Sequence, residues 1–200
     1  MVRIEKALDA LALTYAVLFF PAPFFWMIIH PAINFWRRFG NRSFWVAPPV
    51  WLIFGVTLVW LRGRIFSQRL GRNLWTVVLG LSLIALASWI EKRVHQQFTL
   101  RRLVGIPEIE PDRNVRGVVR DGIYARVRHP RYLAYMLTFW GFAFVTSALG
   151  IFVLAIVSVL MYLMVTPVEE RELRQQYGSE YEAYCRAVPR FIPRLRPRKV

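Results

Sequence analysis

The apolar residues of this chain come in long unbroken runs, at roughly residues 8–29, 44–61, 73–90, 132–148 and 149–166. A helix needs about 20 mostly apolar residues to cross a bilayer, with a range near 17–25, so each run is a candidate span. The last two are the short ones, and they meet at Ser147-Ala148-Leu149-Gly150. Pro21 and Pro23 fall inside the first run and predict a kink or break there. Trp36, Trp45, Trp60, Trp75 and Trp89 lie at or near run ends, where an interfacial aromatic belt places them. The pattern predicts an all-α integral membrane protein of about five transmembrane helices. Residues 1–98 form an N-terminal membrane-spanning region of about three spans, and residues 99–200 a C-terminal region built on a helical hairpin at 132–166.

The polar stretches predict the rest. Residues 91–131, with Gly105, Pro107, Pro111 and Gly117, read as loop with room for a short strand or helix. Residues 168–187 are charged and broken by Gly178, which predicts two short surface helices on the cytoplasmic side. The closing VPRFIPRLRPRKV is Pro-rich and basic and is expected to lie along the membrane surface or to be disordered. The first run is preceded by Arg3 and Lys6, but Glu5 and Asp9 interrupt it and its apolar character continues to Ile29. A retained span is therefore expected rather than a cleaved leader.

Composition sharpens this picture. The chain is 56% hydrophobic, with mean hydropathy +0.36 and net charge +15. Soluble domains rarely combine these values, whereas apolar spans joined by basic loops do. Nucleic acid is not an expected partner, because the basic residues sit between apolar runs and form no zinc-finger, helix-turn-helix or RNA-recognition pattern. If the 91–131 loop and the C-terminal tail are cytoplasmic, so is 31–43, and the inside segments hold 21 of the 27 Lys and Arg. Arg62, Arg64, Arg69 and Arg72 then stand outside, against the positive-inside rule. Cys185 is the single cysteine, so no internal disulfide forms. His30, His95 and His129 are far apart, and no metal site is expected.

The candidate chemistry lies in the C-terminal region. Two helices of about equal length joined by a tight turn form an antiparallel hairpin whose open ends return to one membrane face. Packed helix axes lie about 8–10 Å apart, which makes Arg128-His129 and Glu169-Glu170 neighbours. Pro130 suits the first turn of the first arm, where its missing N–H is not needed. That helix start, with Arg126, Arg128 and Arg131 around it, is an expected anion site. The two carboxylates offer acceptors, while Tyr124 and Tyr132 offer aromatic faces. A small zwitterion with hydroxyls, an aromatic base and a positive centre, such as S-adenosylmethionine, matches every part. The plainer readings are that the arginines anchor helix ends and that the acids begin a surface helix. Tyr177, Tyr181 and Tyr184 are expected on the membrane-facing side. Ser82, Ser88, Thr138 and Ser158 are too few and too mild to line a transport path.

GIYARVRHPRYLAY followed by EERELRQQYGSEYEAYCRAVPRFIP resembles the isoprenylcysteine carboxyl methyltransferase family, integral membrane enzymes related to phospholipid N-methyltransferases. The resemblance covers residues 116–193. It implies an S-adenosylmethionine-dependent methyltransferase with its active site facing the cytoplasm. His129, Pro130, Arg131 and Tyr132 would line the cofactor together with Arg128, Tyr124 would contact it from the preceding turn, and Glu169, with Glu170 beside it, would bind it from the far arm. Arg116 to Val119 match by spacing only. The implied acceptor is lipophilic: a prenylcysteine-like carboxylate, or alternatively a phospholipid amine. No covalent nucleophile is expected. Two positions depart from the family pattern. Ala134 stands where a glycine is common, and Val165 stands where the prenylcysteine enzymes carry an arginine, which Arg171 or Arg174 would have to replace. A membrane reductase of the sterol-reductase type using NADPH shares the His-Pro-x-Tyr end, but the paired acids favour methyl transfer. The soluble methyltransferase architecture is excluded, since no Gly-x-Gly-x-x-Gly turn occurs.

Overall fold

The computed structural model describes residues 2–97 and 117–194. Among these residues the chain is helical, without β-strands. Eight α-helices follow one another: α1 (Val2–Phe19), α2 (Ala22–Ile29), α3 (Ile33–Arg37), α4 (Ala47–Ile65), α5 (Leu74–His95), α6 (Pro130–Thr146), α7 (Leu149–Tyr177) and α8 (Ser179–Ala187). The first apolar run breaks at Phe20-Pro21, where the prolines put it, and α2 begins at Ala22. Four helical stretches are long and apolar enough to cross a membrane: Arg3–Arg37, Gly40–Ile65, Leu74–His95 and Leu149–Tyr177. The fourth expected span is a shorter helix, α6, of 17 residues.

α6 is the centre of the molecule. Pro130, Ala134, Tyr135, Met136, Phe139, Ala143 and Val145 are all buried, so α5, α7 and α1 cover it on several sides. Its contact with α5 is backbone to backbone. A Cβ on Gly80 would lie 2.6 Å from the Gly141 carbonyl oxygen, and one on Gly141 would lie 2.8 Å from that of Gly80. Small residues allow this approach where apolar burial in lipid gives no drive. By contrast, Trp45, Trp60 and Trp75 project outward, as do Leu52, Ile53 and Val56 of α4, giving the molecule an apolar belt.

α6 and α7 form the expected hairpin. Ser147 takes a left-handed conformation (φ 54°) to end α6, and α7 starts two residues later. The Arg62–Arg72 stretch packs on this turn: Leu70 N–H donates to Ser147 O and Leu149 N–H to Gln68 O. Two of the misplaced arginines thus acquire partners. Arg69 grips Asp9 (2.6 and 3.2 Å) and donates to Thr146 O, while Arg72 reaches Glu5 at 2.8 Å.

Two expectations for the polar C-terminal stretch require correction. Residues 168–177 are not a separate surface helix, because α7 runs unbroken for 29 residues to Tyr177. Pro167 removes one N–H without ending the helix, and the Glu, Arg, Leu and Gln residues that follow are good helix formers. The break falls at Gly178, whose φ of 54° suits glycine. The segment after α8 is ordered as far as Arg194, which replaces the expectation of a disordered tail for these residues. It folds back on residues 126–129, with Arg128 N–H donating to Pro189 O (2.9 Å), His129 N–H to Arg190 O (3.2 Å) and Arg194 N–H to Arg126 O (3.0 Å). Residues 195–200 lie outside the described part.

Candidate active site

The hairpin brings Arg128-His129 against Glu169-Glu170. Glu170 is fully buried and is the hub of the cluster. Its Oε1 accepts from Arg128 Nε (3.1 Å) and Nη2 (2.8 Å), and from Arg190 Nε (3.0 Å). Its Oε2 accepts from Arg190 Nη2 at 2.7 Å, and Arg174 Nη2 stands 3.5 Å away. His129 Nε2 is 3.1 Å from Oε1. A carboxylate taken out of water is tolerated only when its lone pairs are answered in this way. The bond to Glu170 raises the pKa of Arg190 above its ordinary value and fixes it as a cation. Of the arginines at the start of α6, Arg128 therefore meets an anion that the protein itself supplies.

Glu169, one residue earlier, is different. Its Oε2 is buried and has no hydrogen-bond partner; His129 Nδ1 lies 3.6 Å away. Residues one apart on a helix point about 100° from each other, so the two acids face different surroundings.

Aromatic rings extend the site. Tyr132 stacks on His129 (5.5 Å between centroids, 7° between planes) and on Tyr162 of α7 (4.7 Å). Phe191 of the folded-back tail covers His129 at 5.9 Å. Pro130 is buried at the first helical position of α6. Tyr124 lies in a 3₁₀ turn and packs with Ala87, Ile90 and Val127; burial pushes its hydroxyl pKa up. Its carbonyl accepts from the Tyr184 hydroxyl at 2.8 Å.

Not every candidate converges. Arg131 turns to Tyr135, donating from Nε at 2.7 Å to its hydroxyl and lying over its ring. Val119 sits in a segment pinned by Glu180 of α8, which accepts from Val118 N–H (3.1 Å) and Arg120 (2.7 Å). Arg116 lies outside the described residues. Tyr181 and Tyr184 are not membrane-facing: both are 2% exposed, packed on Val118 and Val188. Val165 is fully buried, Arg174 faces Glu170, and Arg171 is exposed.

Sequence reasoning missed two features. Arg190 closes on Glu170 from a segment with no periodic pattern, although it stands inside the Val-Pro-x-x-x-Pro match. Glu172, buried on α7, accepts from Arg37 (2.6 Å) and pairs with His30 Nδ1 (2.8 Å), docking the α2–α3 region beside the site.

An α-helical protein with membrane-length helices and a buried ionic cluster at the mouth of a hairpin is thereby defined. A phospholipid methyltransferase family model matches residues 75–180, more than half of the chain, and the chain belongs to that family. Among curated proteins it is 29% identical over 155 residues to a methanethiol S-methyltransferase of Pseudomonas deceptionensis, covering 76% of this chain and 54% of that one. It is 36% identical over 77 residues to methanethiol S-methyltransferase 2 of Bradyrhizobium diazoefficiens, covering 38% of this chain and 29% of that one. It is also 37% identical over 79 residues to the cobalt-zinc-cadmium resistance protein CzcN of Cupriavidus metallidurans, covering 39% and 36% of the two chains. The chain therefore spans about a third to a half of the length of these relatives. No solved structure matches it.

Proposed function

We propose that the chain is an S-adenosylmethionine-dependent membrane methyltransferase acting on a small lipophilic acceptor, with a thiol favoured. The observation that carries the cofactor is Glu169 Oε2, a buried carboxylate oxygen without a partner beside a histidine and a stack of aromatic rings. Buried polar atoms are nearly always satisfied, and a bound cofactor would satisfy this exception. When bound, the cofactor supplies a methyl group already activated on a sulfonium. Glu169 would hold its ammonium or hydroxyl groups, and His129, Tyr132 and Tyr124 would flank it, with Arg128, Glu170 and Arg190 fixing the shape of the mouth. Val119 and Arg116 would act only through backbone, and Pro130 through the helix start. The remaining tasks of the protein are alignment, which can supply up to roughly 7–11 kcal/mol in favourable intramolecular cases, and passage of the thiol proton to a neighbouring base as the sulfur–methyl bond forms and the sulfonium carbon–sulfur bond breaks.

The choice of acceptor rests on two observations. Val165, fully buried, occupies the place where a prenylcysteine-carboxylate enzyme would need an arginine. Two of the relatives above carry methanethiol S-methyltransferase as their name. A neutral thiol demands no such arginine, whereas a prenylcysteine carboxylate would depend on Arg171 or Arg174. The site end carries the basic C-terminal segments, which orients it toward the cytoplasm.

The test is binding of S-adenosylmethionine to purified protein in detergent, for wild type, His129→Ala and Glu169→Gln. Micromolar binding weakened at least tenfold in both folded variants is expected, with methyl transfer to methanethiol exceeding transfer to prenylcysteine and phosphatidylethanolamine. Folded wild type that ignores S-adenosylmethionine and binds NADPH would replace this reading with the reductase. Methylation of prenylcysteine or phosphatidylethanolamine alone would keep the cofactor and overturn the thiol.

A further inference from the structure

Three of the five buried polar side-chain atoms left without a partner among the described residues lie on one helix: Ser158 Oγ, Tyr162 Oη and Glu169 Oε2, all on α7. Their spacings of four and seven residues put them on one face. At about 1.5 Å per residue they span about 16 Å, from the polar mouth at Glu169 into the apolar part of the helix. Tyr162 is 0% exposed and Ser158 1% exposed. A serine inside a helix ordinarily returns its hydroxyl to the carbonyl four residues back, as Thr166 does to Tyr162. Ser158 does not.

Tyr162 is surrounded by aromatic and aliphatic side chains, two of which, Tyr132 and Tyr135, carry hydroxyls of their own. Its ring is held between Tyr132 (4.7 Å) and Tyr135 (6.1 Å), and Met136, Phe19 and Val159 complete the cluster. A mostly apolar and aromatic lining with a few placed polar groups recognises a small apolar molecule carrying a polar atom. Through Tyr132, the same ring stack reaches His129.

We propose that Tyr162, with Ser158 one turn deeper, forms the acceptor site, the Tyr162 hydroxyl holding the nucleophilic atom of a short-chain lipophilic thiol. This rests on the methyltransferase reading for the identity of the acceptor, but not for the existence of the site. Cofactor at Glu169 and acceptor at Tyr162 would then meet two turns apart on one helix face. Phe19 brings α1 into the acceptor wall, so a region outside the matched family segment takes part in selecting the acceptor.

The experiment uses the full chain in detergent, as wild type, Tyr162→Phe and Ser158→Ala. Two quantities are read: the shift in Tm produced by butanethiol without cofactor, and the kinetics of methyl transfer to butanethiol with S-adenosylmethionine affinity measured alongside. Tyr162→Phe keeps the ring stack and removes only the hydroxyl. The expected result is a Tm at least equal to wild type, loss of the butanethiol shift, S-adenosylmethionine affinity within twofold, and kcat/KM at least tenfold lower. Ser158→Ala is expected to change in the same sense and by less. A butanethiol shift absent from wild type, or equal in all three proteins, overturns the acceptor site, as does unchanged kcat/KM in Tyr162→Phe. Wild type that gains Tm with butanethiol, in a manner lost in Tyr162→Phe, yet neither binds S-adenosylmethionine nor transfers methyl, upholds the thiol site and sinks the methyltransferase reading instead.

Discussion

Glu169 and Glu170 are adjacent acids with opposite situations, and the difference is measurable. Glu170 is the counterion of Arg128 and Arg190 in a fully buried position. Removing one member of a buried ion pair strands the others and costs roughly 3–5 kcal/mol. Glu170→Gln is therefore expected to lower Tm strongly, with any loss of cofactor binding following from the loss of shape. Glu169 Oε2 has no partner to strand. Glu169→Gln is expected to leave Tm unchanged or raised and to weaken S-adenosylmethionine binding at least tenfold; equal Tm losses in the two variants would mean that both acids are structural. The sequence located this pair opposite His129, because the hairpin argument needs only two equal runs and a turn. It did not separate their roles. Arg190 is one of the groups that sets Glu170 apart, and it reaches Glu170 across a chain reversal with no periodicity to announce it. The His30–Glu172 pairing, between residues far apart in sequence, was illegible for the same reason.

At the scale of elements, most spans could be read from apolar runs, but the rank of the helices could not. The run at 132–148 resembles the others in composition, yet α6 is a buried central helix while α4 presents Leu52, Ile53 and Val56 outward. What distinguishes α6 is contact, seen in the glycine pair Gly80 and Gly141. A methyl on Gly141 would meet Gly80 O at 2.8 Å and Ile84 Cγ1 at 2.5 Å, and the backbone atom cannot swing aside. Overpacking of this kind costs typically about 1–3 kcal/mol. Gly141→Ala and Gly80→Ala are each expected to lower Tm, and the shifted α6 to weaken cofactor binding at its N-terminus. Gly63→Ala, in α4, meets nothing within 4 Å. It is expected to be neutral or stabilising by up to about 1 kcal/mol through helix propensity. Thermal unfolding of the three variants side by side checks the packing, and a Gly63 variant as damaged as the other two would refute it.

Across the whole molecule, the N-terminal helices are fastened at both ends by charges from elsewhere. At the far end Arg69 and Arg72 hold Asp9 and Glu5; at the site end Glu172 holds His30 and Arg37. The far-end pairs are partly exposed and are worth roughly 0–1 kcal/mol each. The site-end pair is mostly buried, its His30 and Glu172 side chains 2% and 8% exposed, and it carries more of the fastening. Between the two ends, Phe19 packs toward Tyr162, and Tyr15 and Phe20 pack against Phe139. The matched family segment begins only at residue 75, so these fastenings join a wall from outside that segment to the hairpin within it. If that wall shapes the acceptor side, loosening it should change acceptor use and spare the cofactor. Glu172→Gln keeps the size of the side chain and removes the charge. Amide exchange over residues 22–37 is then expected to rise at least tenfold while α6 keeps its protection. S-adenosylmethionine affinity should stay within twofold, and KM for the acceptor should rise. Unchanged exchange over 22–37 would show that the apolar contacts of Phe25, Ile29 and Ile33 suffice to hold the region. A loss of cofactor affinity equal to the loss in acceptor use would instead make Glu172 part of the cofactor mouth, one turn beyond Glu169 on the same helix face.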